Sequence, residues 1–155
     1  MTSSSNFRLP VVVLCLSMVT APWIVSYAFD LPKPTFPCVG PKLIDGDTIR
    51  CERIDLGFSL SMGHQIVRVA GVDTPESLRP ACEKERLKGE RAKKATALFL
   101  EECSELVVID PDKDKYGRIL GDLLCVTSGN MLSVRLLSLG LARPYFGKTK
   151  VSWCD

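Results

Sequence analysis

Three short strand-like runs precede any helical pattern, and that order constrains the fold of this chain more than any other feature. Val39–Ile44 and Thr48–Ile54 flank Asp45-Gly46-Asp47, a strong hairpin signal. Gly57 to Gly63 supplies the next turn, and Gln65–Val72 forms the third run, with Ile66, Val67, Val69 and Val72 apolar. Consecutive runs joined by tight turns predict antiparallel pairing in a barrel or meander, not a parallel sheet. From Cys82 to Cys103 the period becomes helical. Ala92, Ala95, Leu98 and Phe99 recur at three- and four-residue spacing, while Lys93, Lys94, Glu101 and Glu102 point elsewhere. Gly89 either starts this helix or splits it. Leu106–Ile109 and Ile119–Val126 read as a fourth and a fifth strand joined by a loop over 110–118, and Met131–Leu139 as a short helix stopped by Gly140. The predicted class is mainly β (α+β), with five strands, one longer helix and one short one. No internal repeat or low-complexity tract interrupts this order.

The length of 155 residues accommodates one domain and a targeting segment. Charged residues at 25% and hydrophobic ones at 46% describe an ordinary globular chain. The net charge of +2 falls to +1 once Arg8, the one charged residue of 1–28, is set aside. That excludes the broad basic footprint of a non-specific nucleic-acid binder, so any such role must come from a local site.

Residues 1–9 are polar with one arginine, Pro10 to Val25 is mostly apolar, and Ser26-Tyr27-Ala28 offers small residues at the positions a signal peptidase reads. Pro22 and an apolar stretch of about sixteen residues fall short of the ~20 that a membrane span needs. A cleaved signal peptide over 1–28 is therefore expected, with an N-terminal membrane anchor as the alternative. The chain is then exported, periplasmic or secreted, or in the alternative membrane-anchored. Residues 29–37, with three prolines, read as an extended leader, and 38–155 as the folded domain. Of seven cysteines, Cys15 lies in the N-terminal stretch and follows Leu14, not the small residue a lipoprotein anchor requires. The other six, at 38, 51, 82, 103, 125 and 154, read as disulfides in an exported chain. With no CxxC pair and a single histidine, His64, zinc binding is disfavoured. Cys38 and Cys51 flank the 45–47 turn almost symmetrically and are expected to pair. The spacing leaves the remaining pairings open.

Three motifs carry candidate chemistry. Arg68 to Glu76 (Arg-Val-Ala-Gly-Val-Asp-Thr-Pro-Glu) sets an arginine fork and two carboxylates at the end of a strand. Such a fork matches phosphate geometry, and such carboxylates can share a hard cation. Asp45-Gly46-Asp47-Thr48 adds carboxylates at a tight turn, and Lys115-Tyr116-Gly117-Arg118 a second arginine just before the fifth strand. Each alone has a plain explanation, since Asp-Gly is common hairpin chemistry and Tyr-Gly-Arg can be an ordinary loop.

Together, Asp-Gly-Asp-Thr (45–48), Arg68 with Val-Asp-Thr-Pro-Glu (72–76), Asp-Lys-Tyr-Gly-Arg (114–118) and Gly-Leu-Ala (140–142) resemble the staphylococcal nuclease (thermonuclease) family over about Pro37 to Tyr145. The resemblance implies a five-stranded OB-type β-barrel and a calcium-dependent endonuclease hydrolysing phosphodiester bonds of DNA and RNA. It further implies Asp47, Asp73 and the Thr74 main-chain oxygen as Ca²⁺ ligands, Glu76 as general base on water, and Arg68 and Arg118 as the phosphate clamp. Lys115, Tyr116 and Tyr145 would line the nucleotide site, and Asp45 would sit near the metal or serve only the turn. No stable protein partner is implied, a monomer is expected, and membrane contact follows only from an uncleaved N-terminus. The six cysteines depart from the family pattern, as does a shorter-looking loop over 110–118, and Trp153 and Cys154 are expected to pin the C-terminal tail. The competing reading is a non-catalytic OB-type module that binds nucleic acid or protein.

Overall fold

In the computed structural model, which describes residues 34–155, the predicted order of elements is present with longer strands. β1 (Thr35–Asp45), β2 (Thr48–Gly57) and β3 (Leu60–Val69) form an antiparallel meander. The second turn is only Phe58-Ser59 between Gly57 and Leu60, because both strands continue through residues expected to be loop. Gly63 and His64 therefore lie within β3. β1 also starts earlier than expected: Thr35, Phe36 and Pro37, assigned to the leader, pair with Ile109, Val108 and Val107. The signal or anchor expected over 1–28 lies outside the described residues. Among those described, no helix is long and apolar enough to cross a membrane.

After β4 (Val72–Asp73) comes α1 (Glu83–Glu102), then β5 (Leu106–Lys113), β6 (Ile119–Cys125), β7 (Asn130–Met131), α2 (Leu132–Ser138) and β8 (Arg143–Pro144). The segment 110–113, expected as loop, extends β5 past a register shift between Ile109 and Asp112, and the connection shrinks to 114–118. Pro111 sits at this irregularity, where its missing N–H interrupts no ladder. Hydrogen-bonded order runs β3-β2-β1-β5-β6, and β6 returns to β3 by a parallel pairing of 119–121 with 67–69. The result is a closed, five-stranded mixed barrel of OB type that leaves no long free edge.

Ile49, Val67, Val69, Leu123, Phe99, Leu132 and Leu136 are among the residues that fill the core between barrel and helices. α1 is continuous through Gly89. Ala92, Ala95, Thr96 and Phe99 are buried, but Leu98, expected on the same face, is 41% exposed. Cys82 caps α1, its sulfur accepting from the Glu85 N–H, and Glu83 and Glu85 place negative charge at the positive end of the helix dipole. α2 has no side-chain cap of its own at Met131. Asp122 of β6 takes that role, accepting hydrogen bonds from the Ser133 N–H (3.2 Å) and hydroxyl, and burial pushes its carboxyl above the ordinary range. α2 stops at Gly140 as expected, with the Leu141 N–H donating back to the Leu136 carbonyl.

The disulfides are Cys38–Cys51 within the first hairpin, as anticipated, Cys103–Cys125 between the end of α1 and β6, and Cys82–Cys154 between the start of α1 and the C-terminal tail. The last closes the longest loop, 72 residues of separation. Opening a loop of that length releases about 4 kcal/mol of unfolded-state entropy in the chain-entropy picture. The double change Cys82→Ala/Cys154→Ala is accordingly expected to lower the urea midpoint well below that of the parent under oxidising conditions. An unchanged midpoint would show that the tail adds nothing to stability.

Candidate active site

The turn between β1 and β2 and the segment after β3 meet at Arg68. Register places Arg68 opposite Thr48, and the Val69 N–H donates to the Asp47 carbonyl (2.9 Å), so the guanidinium starts beside the turn. Arg68 is buried, and a buried cation persists only with partners. It ion-pairs with Asp47 through Nη1 and with Asp73 through Nη2 at 3.4 Å. The Thr74 N–H donates to Asp47 Oδ2 at 2.9 Å, completing a buried knot of Asp47, Arg68, Asp73 and Thr74. The short β4–β8 ladder, Asp73 opposite Arg143, fixes the backbone under this knot.

Asp73 has two further partners: Lys150 Nζ at 2.7 Å from Oδ1, and the Trp153 indole N–H, which donates to Oδ2 at 3.3 Å. Burial opposes the Lys150 charge, but the hydrogen bond and charge of Asp73 outweigh it and hold the ammonium above the usual lysine range. Glu76 is half-exposed, with Oε1 3.9 Å from Lys150 Nζ. Burial, reinforced by the charge and hydrogen bond of Asp45, pushes its carboxyl above the ordinary glutamate range. Asp45 also accepts from the Gly46 N–H (2.9 Å) and the Ser77 hydroxyl (2.7 Å), so it fastens the Glu76 loop to the turn.

α1 supports both loops from below. Thr96 donates its hydroxyl to the Gly46 carbonyl at 2.6 Å, and a Cβ on Gly46 would lie 2.9 Å from Ala92 Cβ. Glu85 accepts from the Ala81 N–H (2.7 Å) and the Glu76 N–H (3.4 Å). A Cβ on Gly89 would sit 2.7 Å from the Glu76 carbonyl carbon and oxygen, which are backbone atoms unable to step aside cheaply. Gly89→Ala should therefore destabilise, although alanine favours an isolated helix by up to ~1 kcal/mol over glycine. The Glu76 loop would have to shift to make room. A thermal midpoint lower in Gly89→Ala than in the parent is the expected result, and an equal or higher midpoint would show that the loop gives way freely.

On the other side of Arg68 opens a cleft of about 760 Å³, lined by Arg68, Arg118, Lys115, Tyr116, Tyr145 and neighbouring residues. Asp114 organises its rim. One carboxylate oxygen accepts from the Tyr116 and Arg118 N–H groups and the other from Arg118 Nε at 2.6 Å, the fixed fork of an Asx-type turn. Desolvation works against the Asp114 charge, but these Arg118 and backbone bonds prevail and hold its carboxyl below the usual range. The Tyr116 ring, 72% exposed, has two cations near it, Lys115 Nζ at 5.1 Å and Arg118 Cζ at 5.5 Å from its centre. Tyr145 is placed by its N–H bond to the Gly71 carbonyl. The candidate residues thus fall into two groups sharing Arg68. Asp47, Asp73, Thr74 and Glu76 gather on the carboxylate side and are not among the cleft's lining, whereas Arg118, Lys115, Tyr116 and Tyr145 gather around the cleft.

The family model described as staphylococcal nuclease homologue matches residues 66–152, more than half of the chain. The chain belongs to the staphylococcal nuclease family. No curated protein matches the sequence. Membership gives this nuclease homologue a nuclease-like, nucleic-acid-related function. The match begins after the 45–48 turn, so Asp47 joins the matched region through space, by its bonds to Arg68 and Thr74.

Sequence reasoning about this nuclease homologue missed Asp114, Glu85 and Lys150. Asp114 carried a usable signal, an Asp two residues before Tyr116 and four before Arg118. Glu85 reads in sequence as an ordinary first-turn acid, and Lys150 lies in a stretch without any pattern. His64, the single histidine, is exposed in β3 with φ of 50°.

Proposed function

We propose that this chain is an exported, monomeric, calcium-dependent endonuclease that hydrolyses phosphodiester bonds of DNA and RNA. The observation that carries the reading is the position of Arg68, which holds Asp47 and Asp73 with its fork while lining the cleft that contains Arg118. A phosphate in the cleft would meet two guanidinium groups, whose donors match it bidentately and stabilise charge developing on its oxygens. Glu76 takes the proton from the attacking water, a role suited to a carboxyl pushed above its ordinary range. Tyr116, largely exposed near Lys115 and Arg118, offers ring surface on which a base can stack, with Tyr145 and Lys115 bordering it.

The donor set of Asp47, Asp73 and the Thr74 carbonyl is hard oxygen, the chemistry a calcium ion requires. Asp47, Asp73 and Glu76 have, among the described residues, Arg68 and Lys150 as their cationic partners while Asp45 adds a further carboxyl beside Glu76, an excess of acids that a divalent cation would offset. Among the described residues, no group of three or more His, Cys, Asp or Glu side chains is disposed to hold a metal ion. Oxygens of Asp47 and Asp73 are turned to Arg68 and Lys150. When bound, the ion would polarise the phosphoryl oxygen and help position water. Three disulfides support an oxidising compartment and so the export reading.

The test is cleavage of plasmid DNA and single-stranded RNA by the oxidised protein with Ca²⁺, with Mg²⁺ and with EDTA. Cutting that requires Ca²⁺ and stops in EDTA is expected. Tight oligonucleotide binding without cutting under any condition would replace this reading with a non-catalytic OB-type binding module.

A further inference from the structure

The Lys150 ammonium does not sit at the carboxylate cluster as a loose surface lysine would. The tail that follows it is held at several independent points. Cys154 is bonded to Cys82 at the start of α1. Trp153 is 7% exposed, with Arg143 stacked on its ring at 3.8 Å and its carbonyl accepting from Lys88 Nζ at 3.2 Å. Arg143 also donates to the Ser152 carbonyl at 2.9 Å. Trp153 in turn donates to Asp73 Oδ2, so the same carboxylate takes Trp153 on one oxygen and Lys150, at 2.7 Å, on the other. With Glu76 Oε1 at 3.9 Å, the ammonium stands between the two acids of the 73–76 segment.

We propose that Lys150 is an internal competitor for the divalent cation of this site, held in place by the disulfide-anchored tail. This rests on the reading of Asp47 and Asp73 as cation ligands. A single positive charge on Asp73 Oδ1 takes the oxygen that the ion needs, so the ion binds only by displacing the lysine. Its apparent affinity is reduced by the fraction of molecules in which Lys150 is in place. Two cations that exclude each other are negatively coupled, and such couplings commonly amount to about 5- to 150-fold. Half of the Lys150 side chain is exposed, so its removal should leave the fold intact. Displacement also frees the ammonium, next to Glu76, to approach a bound phosphate.

The experiment is calorimetric titration of Ca²⁺ into the full oxidised chain as wild type, Lys150→Met and Lys150→Arg. Lys150→Met is expected to bind Ca²⁺ about tenfold more tightly, and Lys150→Arg, which keeps the charge, to remain near wild type. Equal or weaker binding by Lys150→Met overturns the competition while the cation site stands. Absence of Ca²⁺ binding in all three proteins overturns the cation site and the competition with it.

Discussion

Glu76→Gln is expected to lower kcat for phosphodiester cleavage by about a thousandfold, within the range of general-base catalysis, while oligonucleotide affinity stays close to wild type. The amide keeps the size of the carboxylate and cannot accept the proton of water. What fixes the loop is the Glu76 N–H bonded to Glu85 and the Ser77 N–H and hydroxyl bonded to Asp45, and none of these bonds uses the Glu76 carboxylate. The fold should therefore be indifferent to the change. The same assignment dictates a pH profile. A base works only when deprotonated, and burial with Asp45 raises the Glu76 pKa. The acid limb of kcat/KM should thus lie above the ordinary glutamate range, with activity falling as pH drops through it. Asp45→Asn removes a neighbouring negative charge, so the limb should move to lower pH. A limb unmoved by Asp45→Asn, or activity surviving in Glu76→Gln, would assign the base elsewhere.

Arg68→Ala should strike activity and stability together. Loss of one donor to a developing oxyanion commonly costs 10²–10³ in rate, and Arg68 supplies a fork of them. The stability effect comes from what stays behind. Asp47 and Asp73 are buried, and the guanidinium is the cation they share. Breaking a buried pair from one side typically costs 3–5 kcal/mol, and Lys150 can compensate only at Asp73. Added Ca²⁺ should recover part of the loss by replacing the missing charge, whereas EDTA should not. Urea unfolding of wild type and Arg68→Ala, each with Ca²⁺ and with EDTA, separates these effects. An Arg68→Ala protein as stable as its parent in EDTA would mean that the two aspartates do not depend on Arg68 for a partner.

The difference between Asp47 and Lys150 illustrates what sequence could and could not supply. Asp47, Arg68, Asp73 and Glu76 were legible because each lies within a few residues of a turn or strand end, where backbone chemistry leaves a local mark. The barrel was legible for a similar reason: its apolar runs are short and follow one another closely, and Asp45-Gly46-Asp47 marks the first hairpin turn. Strand ends were less so, since cross-strand pairing carried β1 back to Thr35, β3 to Leu60 and β5 to Lys113 through residues with weak strand preference. Gly89 was misread because its reason is a neighbour thirteen positions away, the Glu76 carbonyl. Lys150 reaches its acids on a tail that the Cys82–Cys154 bond helps to anchor, a pairing that spacing alone left open.

The parallel seam between β3 and β6 has a consequence for when function arises during folding. The meander of β1 to β3 consists of near-neighbour contacts and can assemble early, bringing Asp47 alongside Arg68. The seam joins Arg68 to Leu120, fifty-two positions further along the chain, and contacts of that separation are paid for in chain entropy before they give anything back. Arg118, one residue ahead of β6, takes its place beside Arg68 only as that seam closes. A half-assembled chain thus holds one arginine without the other. Cleavage competence becomes a property of the finished barrel, and its appearance during refolding times the last topological step.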